Sequence, residues 1–168
     1  MTTFNRLDRR ITTWLAQNGM TLLRLSLGVV FFWFGILKFF PGMSPADDLA
    51  SRTISQLSFG LIPPAISVPA LATWEVLIGL GLITGLFMRA TIALLLVQMM
   101  GTLSPLALFP GETWRIFPVS PTLEGQYIIK NLVLISSALV IGATVRGGTL
   151  VADPRLARQA AQAEGRQS

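Results

Sequence analysis

Apolar residues dominate four long runs of the chain, roughly Met20–Phe40, Ile66–Phe87, Ala90–Phe109 and Glu124–Val145. Short segments rich in proline, glycine and polar residues separate them. Each run has the roughly 20 residues needed to cross about 30 Å of hydrocarbon at about 1.5 Å per residue. A helix of a soluble core would carry a polar stripe once per turn. Val29–Phe34 and Ile92–Val97 carry none. The pattern predicts an all-α membrane protein, a four-transmembrane-helix bundle occupying residues 20–145. It leaves residues 1–19 as a cytoplasmic amphipathic N-terminal segment and residues 146–168 as a cytoplasmic basic tail.

The connecting segments set the expected topology. Asn5–Gly19 alternates Leu7, Ile11, Trp14 and Leu15 with Arg6, Arg9 and Arg10, a pattern suited to a helix lying on an anionic inner leaflet. The first apolar run is too long for the core of a signal peptide and no clean cleavage site follows, so it reads as an uncleaved signal anchor. Gly85–Arg89 is short enough for a tight helical hairpin. Arg6, Arg9, Arg10, Arg24, Arg89, Arg146, Arg155, Arg158 and Arg166 all fall on one side if both termini are cytoplasmic, leaving only Arg52 and Arg115 in the two external loops. The positive-inside rule then gives an N-in, C-in arrangement. In the first external loop, Ser44, Pro45 and Asp47 read as an N-cap, a first-turn proline and an early acid, predicting a short interfacial helix from Pro45 to Leu57. The second, Phe109–Leu123, holds three prolines with Trp114 and Phe117 and suits a rigid lid or an aromatic interfacial belt.

Composition narrows the functional classes. The 52% hydrophobic content and mean hydropathy of +0.63 fit an integral membrane protein. The net charge of +5 resides at helix ends and tails, where it sets orientation, so nucleic acid is not an expected partner. There is no Cys and no His, which removes disulfides, thiol redox chemistry, Cys/His metal sites and His-ligated haem. The acidic residues show no spacing suited to a metal ion.

Polar residues inside the apolar runs are the candidate chemistry, because an ionisable group there costs at least a few kcal/mol unless it is partnered. At about 100° per residue, Arg24, Gly28, Phe31, Gly35 and Lys38 share one face of the first run. Ala72, Glu75, Gly79 and Leu82 share one face of the second. In the fourth, Gln126, Lys130 and Ser137 lie on one flank, and Glu124 and Asn131 on another that turns apolar at Ile135 and Ala138. In an up-down bundle Lys38, Glu75 and Lys130 all fall in the outer half of the bilayer. A Lys38–Glu75–Lys130 constellation, flanked by Gln126 and Asn131, is therefore the expected ligand-binding site. Gln98, Glu124 and Arg115 form a second tier: Gln98 suits interhelical hydrogen bonding, and Glu124 also suits a helix N-terminus.

Three stretches resemble the DoxX family of small bacterial membrane proteins: Leu23–Phe40 (LRLSLGVVFFWFGILKFF), Trp74–Arg89 (WEVLIGLGLITGLFMR) and Glu124–Val140 (EGQYIIKNLVLISSALV). The Glu followed by a glycine-rich half-helix and an Arg turn is the most characteristic piece. The resemblance implies a four-helix protein of the bacterial inner membrane, often redox-associated, with some relatives linked to quinone-reducing thiosulfate oxidation or to oxidative-stress resistance. It carries no catalytic signature. Three functions compete: a quinone-interacting accessory subunit working with a soluble or membrane oxidoreductase, a non-catalytic assembly factor, and a small permease or proton-coupled carrier. Against the carrier, the chain has no internal repeat, though a homo-oligomer could compensate. Membrane lipid is a partner under all three.

Overall fold

The structure is a computed structural model that describes residues 3–148 and 150. The first helix, α1, runs without interruption from Thr3 to Leu37, 35 residues, or about 52 Å. The separate surface helix expected at Asn5–Gly19 is thus the first part of α1. Nothing at the junction stops the helix: one glycine costs only about 1 kcal/mol against alanine in a helix interior. The neighbouring polar side chains also bond back along the helix rather than capping a new one. Thr13 Oγ1 donates to Arg9 O (2.8 Å) and Asn18 Nδ2 to Trp14 O (2.9 Å).

Three further helices complete the set of spans. They are α3 (Pro64–Thr84), α4 (Met88–Leu103) continued by the short α5 (Pro105–Leu108), and α7 (Leu123–Ile129) continued by α8 (Asn131–Thr144). With α1 they give four helices long and apolar enough to cross a membrane. α1 packs on α3, α3 on α4, α4 on α8 and α8 back on α1, closing a four-membered ring. Its core is Leu27 and Phe31 of α1, Ile78 and Leu82 of α3, Ile92, Leu95 and Met99 of α4, and Ala138 and Ile141 of α8. Outside the ring the surface is also apolar: Val29, Trp33, Phe34, Leu77, Leu80, Val97, Met100, Leu132, Val133 and Leu139 are all exposed. Large apolar side chains on both faces of the same helices suit a hydrocarbon solvent.

The tightest seam joins α1 and α3. A Cβ added at Gly28 would lie 2.9 Å from Ile83 Cγ1, one at Gly35 would lie 2.8 Å from Val76 N, and one at Gly79 would overlap the Phe32 backbone. These glycines let the two backbones approach closely enough for side chains on either helix to meet. At the far end of the seam Arg24 donates to Leu82 O and Ile83 O, two of the last carbonyls of α3, where a cation also complements the helix dipole. The α3–α4 turn passes through Gly85 (φ +75°), whose missing side chain leaves room for the Arg24 guanidinium.

The Lys38 end of the ring carries a cap built from both connecting segments. The helix expected from Pro45 begins later, as α2 (Asp47–Leu57), with Ala46 at the N-cap and no side-chain cap. Ser44 instead closes a preceding turn, its carbonyl accepting from Asp47 N (3.4 Å). The second segment forms α6 (Pro110–Thr113) and an antiparallel hairpin of β1 (Trp114–Ile116) and β2 (Ser120–Pro121), with Trp114 opposite Pro121 and Ile116 opposite Ser120. Trp114 fixes it, donating from Nε1 to Leu106 O (3.1 Å) and meeting Phe117 edge to face at 5.4 Å. Arg52 of α2 clamps Glu112 with two bonds of 2.7 Å, bonds Asp48 at 3.0 Å and lies over the Phe109 ring. The guanidinium holds the Glu112 carboxyl below the usual carboxylate range. Thr122 then caps α7, its Oγ1 accepting from Gly125 N (3.2 Å).

Candidate functional site: a buried carboxylate between a lysine and an amide

Lys38 is the first residue beyond the last turn of α1, where a cation suits the negative end of the helix. Its N–H reaches Gly35 O at 3.3 Å, so the chain turns there while the side chain follows the seam. Gly35 faces Glu75 itself: an added Cβ would lie 2.9 Å from Glu75 Cβ. Glu75 sits on the inward face of α3 with Ala72, Gly79 and Leu82, all buried. Lys38 Nζ meets Glu75 Oε2 at 2.7 Å, the two side chains being only 8% and 12% exposed. From α4, Gln98 Nε2 donates to the other carboxylate oxygen at 2.8 Å. Three spans thus converge on one carboxylate, each oxygen with its own donor.

Two buried acceptors nearby have no hydrogen-bond partner among the described residues, Gln98 Oε1 and Asp47 Oδ1. Asp47, at the start of α2, also bears electrostatically on Glu75. The group as a whole is rich in acceptors, with a single ammonium as its cation. A buried unpaired acceptor costs about 1–3 kcal/mol, and such groups concentrate where a protein meets a ligand or stores strain.

The other expected site residues lie elsewhere. Lys130 is exposed, its Nζ 4.1 Å from the centre of the Tyr127 ring, so it does not complete a Lys38–Glu75–Lys130 cluster. The reason is helical phase. Gly125 and Ile128 are the buried positions of α7, and Lys130 lies about 200° round the helix from Ile128. Gln126 and Glu124 are exposed too, as is Arg115 on β1, while Asn131 is half-buried at the start of α8. Gln98, held in the second tier, is a direct partner of Glu75. The sequence marks Asp47 only as an early acid of a short helix. The available signal was its place on the connection between Lys38 and the helix bearing Glu75.

A ring of four lipid-suited helices with a charged pair sealed inside one seam defines a small multi-pass membrane protein. The chain belongs to the DoxX family: residues 19–108 match that family's model. The match includes Lys38, Asp47, Glu75 and Gln98 and ends before the fourth span, so the stretch Glu124–Val140 lies outside it. No curated protein and no solved structure matches the chain.

Proposed function

We propose that this DoxX-family protein is a redox-associated accessory subunit of the bacterial inner membrane that engages a quinone at the Lys38–Glu75–Gln98 group. The observation that carries the reading is a buried carboxylate held between an ammonium and an amide, with the Gln98 Oε1 acceptor left over. Lys38 is a donor suited to a quinone carbonyl, and Gln98 Oε1 is an acceptor suited to a quinol hydroxyl. A quinone, when bound, supplies two-electron, two-proton chemistry. In this reading Glu75, buried among the spans, would hold or pass a proton. With no Cys or His in the chain, the electrons would come from an oxidoreductase partner. The test is an organic extract of the protein purified in mild detergent. Quinone should be present at near one per chain and depleted after Gln98→Leu; equal traces in both would remove the proposal. A second reading has its own support: Gly35 and Gly79 leave little room around the pair, as a packing lock in a non-catalytic assembly factor would require.

The proposed orientation is N-in, C-in, with the cap at the outer face. Arg24, Arg89 and Arg146 lie at one end of the ring, and the cap with Arg52 and Arg115 at the other, which agrees with the positive-inside rule. In intact cells, an impermeant thiol reagent should label Gln56→Cys and Val119→Cys but not Phe87→Cys. These positions are all exposed, and labelling of Phe87→Cys from outside would reverse the orientation.

A further inference from the structure

A groove of about 460 Å³ runs between α4 and α8 at the end of the ring remote from Lys38. Ile92 and Leu96 of α4 form one wall with Gly142 and Ala143 of α8 opposite, and Arg89 and Arg146 stand at its mouth. On α4 the lining positions recur at helical spacing, so the groove follows one face of that helix. Gly142 contributes depth: an added Cβ there would touch Ile92 Cγ2 at 3.4 Å. Among the described residues, no acidic side chain lines it.

We infer that this groove binds one anionic phospholipid, with an acyl chain against the apolar walls and the phosphate between Arg89 and Arg146. Charge complementarity carries the assignment. Arg146 follows the C-terminus of α8, where a cation suits the helix. Arg89 does the opposite, standing in the first turn of α4, where the dipole is already positive. That turn has no acidic residue and no side-chain cap. A cation there works against its own helix, and an anion bound in front of it resolves the conflict while meeting the free N–H groups of the turn. The apolar walls select the source of the anion: a lipid delivers phosphate and hydrocarbon together, which suits basic pockets between spans.

The test is native mass spectrometry of the full-length chain released from detergent with phosphatidylglycerol or phosphatidylcholine of the same acyl composition. One phosphatidylglycerol should be retained under conditions that strip phosphatidylcholine. Arg89→Gln and Arg146→Gln, both at exposed positions, should each weaken retention about fivefold. Ala143→Trp should abolish it with both arginines present. Equal retention of the two lipids, or retention unchanged in the doubly substituted Arg89→Gln, Arg146→Gln chain, would overturn the assignment. So would a lipid-free dimer, which gives the groove to a second copy. Binding that emerges only when residues 151–168 are removed would give it to the chain's own tail.

Discussion

Gly79→Ala is expected to lower stability in detergent by about 1–3 kcal/mol, an overpacking cost, although alanine is the better helix former. The new methyl group would meet the backbone N and Cα of Phe32, the latter at 2.7 Å. Side chains can change rotamer to admit a methyl group, but a helix backbone can only move away. α1 and α3 would have to separate, and Lys38 would retreat from Glu75 with them. Gly101→Ala is the control, because nothing lies within 4 Å of its added Cβ. It should be neutral or gain about 0.5–1 kcal/mol from reduced chain entropy. Thermal unfolding followed by circular dichroism separates the two outcomes, and equal behaviour of the two variants would mean that the α1–α3 seam is not tight.

The same seam shows how much of the molecule was legible in its sequence. Helical spacing alone groups Arg24, Gly28, Phe31, Gly35 and Lys38 on one face, and its middle (Gly28, Phe31 and Gly35) is buried together with the neighbouring Leu27. In a chain with so few polar residues inside its apolar runs, two glycines and two cations in phase are conspicuous. Glu75 stood out for a similar reason, since it is too deep in its run to be accidental. Lys130 lies apart from the Lys38–Glu75 pair because depth in the membrane does not fix azimuth. The apolar residues of the fourth span surround it almost evenly, as lipid-facing and core-facing positions have the same chemistry. In a soluble helix the polar face would have fixed the phase. Gln98 is harder to read from sequence, because a neutral amide carries a smaller penalty than a charge and its burial signals less. The hairpin at Trp114–Pro121 is not legible because it depends on tertiary support, through Trp114 and Leu106, whereas the continuity of α1 is local: one glycine among polar residues reads as a boundary but does not stop a helix.

Glu75→Gln is expected to damage the protein more than any exposed substitution, by about 3–5 kcal/mol. Glutamine keeps the size and can still accept from Gln98, but its amide presents N–H groups or a neutral oxygen to the Lys38 ammonium. The ammonium, 2.7 Å from the carboxylate in the wild type, is then a buried charge without a counter-charge. Lys38→Met should cost a comparable amount for the converse reason, leaving a carboxylate with the Gln98 donor alone. Combining the two removes both charges, and the double variant should return to near wild-type stability, with a coupling energy well outside the few tenths of a kcal/mol expected for independent sites. Additive losses would mean that the two groups do not act as a pair.

The stable double variant also separates a binding site from a packing lock. If Lys38 and Glu75 engage a quinone, the folded Lys38→Met, Glu75→Gln protein should lose it, because donor and carboxylate are gone while the bundle stands. The decisive measurement is therefore the quinone content of that variant, purified beside the wild type and verified as folded. Quinone in the wild type and none in the variant is the expected result; quinone at wild-type level in a folded Lys38→Met, Glu75→Gln chain would contradict it.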